Sequence, residues 1–102
     1  GDAKLTAAAQ QRAEEIATVN SHVRPNGTKW YTVLSEYGVT DAAAGENAAW
    51  GSVSPEEVVT AWMNSEGHRA NILDPEARAM GVGYYYNSSS TWGHQWIQLF
   101  TK

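Results

Sequence analysis

Val82-Gly83-Tyr84-Tyr85-Tyr86, a polar loop Asn87-Ser88-Ser89-Ser90-Thr91-Trp92-Gly93, and then His94-Gln95-Trp96-Ile97-Gln98-Leu99-Phe100 stand near the end of the chain. Two aromatic-rich and β-branched segments of period two, separated by a Ser- and Gly-bearing loop, predict two strands paired as a hairpin. Bulky residues fall on both faces of each segment, so the sheet is expected to be covered on both sides.

Upstream of Asp74-Pro75 the period is helical. Leu5, Ala9, Ala13 and Ile16 recur at helix spacing and predict a helix over Lys4 to Asn20, with Arg12, Glu14 and Glu15 off the apolar stripe. Pro25-Asn26-Gly27 signals a turn. Trp30, Val33, Leu34 and Tyr37 predict a second helix over Thr28 to Tyr37, ended by Gly38. Val39 to Val53 has no period and reads as a loop, with a short helical turn near Asn47–Trp50. Ser54-Pro55-Glu56-Glu57 is a capping box with Pro in the first turn. It opens a helix to about Ser65 that turns Val58, Val59, Trp62 and Met63 inward, with Gly67 as its stop. Three helices followed by two strands make an α+β chain, with helices packed around a small, mainly antiparallel sheet.

The length of 102 residues fits one domain. Leu, Ile, Val and Phe make up about 16% of the chain, below the ~20% at which disorder becomes plausible. A net charge of only −4 argues against disorder, and 15 Ala, 5 Trp and 5 Tyr supply the missing core material. Seven Lys and Arg and a pI near 5.2 argue against a nucleic-acid groove, which needs clustered cations. No apolar run approaches the ~18 residues of a membrane span. The absence of Cys excludes a disulfide scaffold, a thiolate zinc site, a Cys nucleophile and an iron–sulfur centre.

The candidate chemistry lies in His22, His68 and Glu46. Both histidines are read as loop residues anchored to rigid elements, whereas His94, at the start of a strand, reads as structural or exposed. Glu46 sits in an Ala- and Trp-rich stretch, with Lys29 and Arg69 the nearest cations in sequence. A buried carboxylate needs a partner, and an imidazole is one candidate; bracing a loop through backbone N–H groups is the other reading. Two neutral imidazoles can hold Zn²⁺, with water or a carboxylate completing the sphere, although the spacing alone does not establish a site. No serine lies in a nucleophile elbow. Tyr84 to Tyr86 with Trp92 and Trp96 read as sheet packing or as a sugar or lipid groove. Glu14, Glu15 and Glu36 read as solvated helix faces.

Five ordered motifs then carry a resemblance. They are Ser21-His22-x-Arg24-Pro25-Asn26-Gly27, Gly45-Glu46-Asn47-Ala48-Ala49-x-Gly51, Ala61-Trp62-Met63-Asn64-Ser65-Glu66-Gly67-His68-Arg69-Ala70-Asn71-Ile72-Leu73, Met80-Gly81-Val82-Gly83 and Trp96-Ile97-Gln98-Leu99-Phe100. Together they resemble the bacterial branch of the CAP superfamily (cysteine-rich secretory proteins, antigen 5 and pathogenesis-related 1 proteins), also called SCP-like domains. The resemblance implies a three-layer α-β-α sandwich, an extracellular or cell-surface location, and a cleft where His22, His68 and Glu46 converge. It implies a divalent cation, often Zn²⁺, on His22 and His68, with Asn47, Ser65, Arg69 and Gln98 as supporting residues of the same motifs. The second Glu of eukaryotic members corresponds to Ser65, with Glu66 adjacent in another register, so their full acid and imidazole set is incomplete. The helix that precedes the segment matching from Leu5 is missing, so residues 1–102 are expected to form a single domain short of the family's first helix. The functional readings are a recognition module for a protein, peptide, lipid or glycan, a metal-assisted peptidase with Glu46 as base, and a carrier using the aromatic groove. A monomer or weak dimer is expected.

Overall fold

The computed structural model describes residues 3–102, and Gly1 and Asp2 lie outside the described residues. The elements are α1 (Ala3–Glu15), α2 (Thr32–Glu36), β1 (Ala43–Trp50), α3 (Pro55–Met63), α4 (Glu66–Ile72), β2 (Ala79–Tyr86) and β3 (His94–Thr101). The three strands form an antiparallel sheet in the order β1-β3-β2. The β2–β3 hairpin forms as the two-residue period predicts, with Tyr84 opposite Trp96 and Tyr86 opposite His94.

Helices on the two sides make the sheet the middle layer. On one side Leu5, Ala8, Ala9, Ala13 and Ile16 of α1 pack with Val33 and Leu34 of α2 against Ala48, Ile97 and Leu99. The four larger fully enclosed aliphatics, Leu5, Ile16, Ile97 and Leu99, each stabilise this layer by about 1.5–3 kcal/mol. On the other side Val58 and Trp62 of α3 meet Trp96, with Ala49 and Ile72 beside them. Three indole N–H groups tie the layers together: Trp50 donates to the Ile16 carbonyl at 3.0 Å, Trp62 to Ala48 at 3.2 Å and Trp96 to Ser52 at 2.7 Å. Helix α1 can lie this close to β2 because positions 81 and 83 are glycine. A Cβ at Gly83 would collide with the Ala9 backbone, and one at Gly81 with the backbone of Leu5.

Several expectations are corrected. The stretch read as a loop holds β1, whose Ala-Ala-Gly-Glu-Asn-Ala-Ala-Trp sequence has little strand propensity of its own. It is a strand because β3 pairs with it, setting Glu46 opposite Leu99, Asn47 opposite Gln98 and Ala48 opposite Ile97. Gly67 does not stop a helix but lies inside the first turn of α4, so His68 is a helical residue. Helix α1 ends at Glu15 rather than Asn20, where the Thr18 hydroxyl donates to the Glu15 carbonyl and the bonding becomes irregular. Helix α2 starts at Thr32 rather than Thr28, because Thr28 closes the Pro25-Asn26-Gly27 turn by accepting from the Arg24 N–H at 2.7 Å. The capping box forms as read: Ser54 Oγ accepts from the Glu57 N–H at 3.1 Å. Val59, however, is exposed and Met63 half-buried. The sheet is not covered evenly either: β3 is enclosed on both faces, but Met80, Val82, Tyr84 and Tyr86 of β2 are exposed. No helix among the described residues is long and apolar enough to cross a membrane.

Candidate functional site

Strand alternation makes the site. Consecutive residues of β1 point to opposite faces of the sheet, so Glu46 turns toward α1 and Asn47 toward α4. Glu46 is enclosed, with no side-chain exposure. Its Oε2 accepts from Arg12 Nε at 2.7 Å, and its Oε1 accepts from the Arg12 Nη2 at 3.0 Å and meets His22 Nδ1 at 2.7 Å. The imidazole partner anticipated for Glu46 is thus present, joined by a cation 34 residues away in sequence. His22 itself is 57% exposed along its side chain. The hydrogen bond to Glu46 pushes the His22 pKa above its ordinary value, against the opposing effects of burial and of the Arg12 charge.

Asn47 serves the other face and is fully buried. Its Nδ2 donates to the His68 carbonyl at 3.0 Å and to Gln98 Oε1 at 3.1 Å, and its Oδ1 accepts from Asn71 Nδ2 at 2.8 Å. Gly45 makes room for this, since a Cβ there would stand 2.8 Å from Asn71 Oδ1. Together these bonds seat α4, and with it His68, on the sheet. Burial and, second, the charge of His22 lower the His68 pKa below its ordinary value, which favours the neutral ring.

Among the supporting residues, Asn47 and Gln98 are joined directly, whereas Arg69 turns away and donates to the Met63 carbonyl at 3.3 Å. Ser65 precedes α4 without a side-chain cap. Among the described residues, no group of three or more His, Cys, Asp or Glu is arranged to hold a metal ion.

Two readings of charged residues are overturned. Arg12 is not off the stripe but fully buried on it, and Glu15 is 8% exposed rather than solvated. Arg24, also buried, donates to Glu15 and to Glu36, and Arg12 donates to Glu15 at 2.9 Å. Burial alone would raise the Glu15 carboxyl; the bonds from Arg24, Arg12 and Gln11 together hold it below its ordinary value. A chain of alternating charge thus runs from Glu36 through Arg24, Glu15, Arg12 and Glu46 to His22. Its sequence signal was positional: Arg12 lies seven residues after Leu5 and four after Ala8, on the buried face of a 3.6-residue helix.

The aromatic segment divides. Trp96 is buried, Tyr85 packs against the α1 core, and Tyr84, Tyr86 and Trp92 are exposed. The Tyr84 hydroxyl lies 2.6 Å from His94 Nδ1, in keeping with a structural role for that histidine. A shallow cavity of about 250 Å³ lies elsewhere, lined by Ile72, Arg78, Met80 and Phe100 among others.

YkwD, an uncharacterized protein of Bacillus subtilis (strain 168), is 41% identical over 98 residues, which cover 94% of this chain and 38% of that one. YlbC, an uncharacterized membrane protein of the same organism, is 38% identical over 63 residues, 62% of this chain and 18% of its own length. The chain therefore spans well under half of either curated relative. The crystal structure of an extracellular protein containing a SCP domain from Bacillus anthracis superposes with a TM-score of 0.84 at 27% identity, over 99% of this chain and 32% of that one. An outer surface protein of Borrelia burgdorferi shares the fold, with a TM-score of 0.77 at 22% identity over 99% of this chain and 74% of its own. The model of the cysteine-rich secretory protein family (CAP) matches residues 2–100, and with the three-layer fold already in place this chain belongs to that family.

Proposed function

We propose that this CAP domain acts outside the bacterial cell as a binding module whose recognition cleft holds a divalent cation, Zn²⁺ foremost, on His22 and His68. The observation that carries the reading is the 2.7 Å contact between His22 Nδ1 and the buried Glu46 carboxylate. A carboxylate on one ring nitrogen fixes the tautomer and leaves Nε2 as a basic lone pair on an exposed ring, the usual arrangement behind a metal-bound histidine. The neutral His68 ring supplies a second nitrogen donor. Two imidazoles leave the remaining positions to water or to a group of the bound partner, which suits a cation that takes part in recognition. An extracellular setting is supported by the description of the Bacillus anthracis neighbour.

The geometry favours binding over hydrolysis with Glu46 as base. The Glu46 side chain has no exposure and already bonds Arg12 and meets His22, so an attacking water has no open approach to its oxygens. Titration calorimetry at neutral pH tests the cation reading. Zinc is expected to bind the wild-type domain, and heat is expected to vanish in His22→Ala and His68→Ala. No heat from the wild type at high micromolar zinc refutes it.

A further inference from the structure

Arg12 is the bulkiest fully enclosed side chain among the described residues, yet an arginine is a costly way to fill that space. Replacing a buried ionic cluster with well-packed apolar residues is often neutral or stabilising, so the guanidinium calls for another reason. Its bonds supply one. Nε and Nη2 grip both oxygens of Glu46 at 2.7 and 3.0 Å, and Nη2 also donates to the carbonyl of Ser21 at 3.0 Å. Glu46 binds the His22 ring, and Ser21 is the residue immediately before it. Arg12 therefore reaches His22 along two routes at once, through the acid on its Nδ1 and through the backbone that carries its Cα.

We infer that Arg12 is the positioning residue of His22: its planar fork fixes the Glu46 carboxylate and the Ser21 carbonyl together, so that the neutral ring carries its proton on Nδ1 and presents Nε2 as the free donor. The inference deepens the proposed cation site and rests on that reading for its effect on zinc, but the ring geometry it describes is measurable without metal. It differs from simple neutralisation of Glu15 and Glu46. A lysine at position 12 would supply the same charge as a single point, without the rigid fork that spans two carboxylate oxygens and a carbonyl. Arg24 is the natural control. It bonds Glu15 and Glu36 within the same charge chain but touches neither Glu46 nor Ser21.

The test is ring ¹⁵N NMR of the metal-free protein at a pH where His22 is neutral, paired with zinc calorimetry. The wild-type ring is expected to show a protonated Nδ1 and a bare Nε2. In Arg12→Lys the two tautomers are expected to mix, with zinc affinity falling about 10- to 100-fold, the usual cost of losing a group behind a metal ligand. Arg24→Lys is expected to leave both readouts at wild-type values. Should Arg12→Lys fail to fold, the charge-balanced pair Arg12→Met with Glu15→Gln carries the same expectation. A wild-type His22 signature in either Arg12 variant overturns the inference, whatever zinc does. If the wild type binds no zinc but the tautomer responds as stated, the cation reading falls and the positioning role stands.

Discussion

Replacing Glu46 with Gln should reverse the sign of the perturbation on His22. In the wild type the bond from Glu46 is the largest influence on that ring and raises its pKa. What remains without the carboxylate is burial and the charge of Arg12, and both push the pKa down. The His22 midpoint is therefore expected above 6.5 in the wild type and below 6.5 in Glu46→Gln, so it crosses the ordinary value. The linkage follows from the raised wild-type pKa. His22 contributes stability in full below pH 6.5, and that contribution is lost as pH rises through its folded-state value. Because the ring is 57% exposed, solvent screening keeps this contribution small. The larger cost lies beneath it. Arg12 is fully buried and would keep only Glu15 as a carboxylate partner, and breaking a buried pair costs about 3–5 kcal/mol. Since Glu15 still balances the charge, the lower end applies, about 3 kcal/mol. In a domain of this size that lowers the melting temperature by roughly 12 to 24 °C. An NMR titration of the His22 ring proton and a urea melt at pH 7.5 measure the two effects. A His22 midpoint that stays above 6.5 in the variant would refute the claim that Glu46 governs this ring.

The acid limb should belong to Glu15. Its pKa is depressed in the folded protein, so its contribution is present above the ordinary value of 4.5 and is lost as pH falls through the folded value; urea melts between pH 5 and 3 should show a flatter decline in Glu15→Gln. Asn47→Ala leaves Gln98 Oε1 and Asn71 Nδ2 short of a partner, costs about 3 kcal/mol, and should speed amide exchange in α4 before the rest of the domain; uniform exchange across the helices would count against it. Gly83→Ala drives a methyl into the Ala9 backbone, which cannot move aside as a side chain would, and should cost at least about 2 kcal/mol by chemical denaturation. A Gly83→Ala protein as stable as the wild type would mean that α1 can lift off β2 freely.

The residues that sequence reading placed well are those whose role is local. The Ser54 cap, the Tyr86–His94 hairpin and the Leu5, Ala9, Ala13 and Ile16 stripe are each set by spacing within a few residues, and each forms. The failures share the opposite property. Strand β1 carries no pattern of its own and exists because Ile97, Gln98 and Leu99 present a partner edge. Helix α4 tolerates Gly67 in its first turn because Asn47 of β1 bonds across to its His68 carbonyl and its Asn71 side chain. Arg12 read as off the stripe and Glu15 as solvated, and only the 34-residue closure onto Glu46 and the Arg24 bond show why they are enclosed. The pairing of Glu46 with an imidazole was legible, and His22 makes it, but the electrostatic support beneath that pair was not.

That support explains why an acid and an amide stand side by side in β1, in that order. Helix α4 has no fully buried residue, so apolar packing alone does not hold His68 in place, and the bonds through Asn47 matter correspondingly more. The loop bearing His22 is held by Glu46 and by the Ser21 carbonyl bond to Arg12. The two histidines, 46 positions apart in sequence, thus answer to two consecutive residues of one strand whose alternation sends one to each face of the sheet. With the order reversed, a carboxylate would face the His68 carbonyl and Gln98 Oε1, while buried Arg12 would face a neutral amide. A one-residue slip of β1 against β3 would misplace both side chains in the same way, because every residue changes face. The β1–β3 register is therefore as much a determinant of the site as the histidines are.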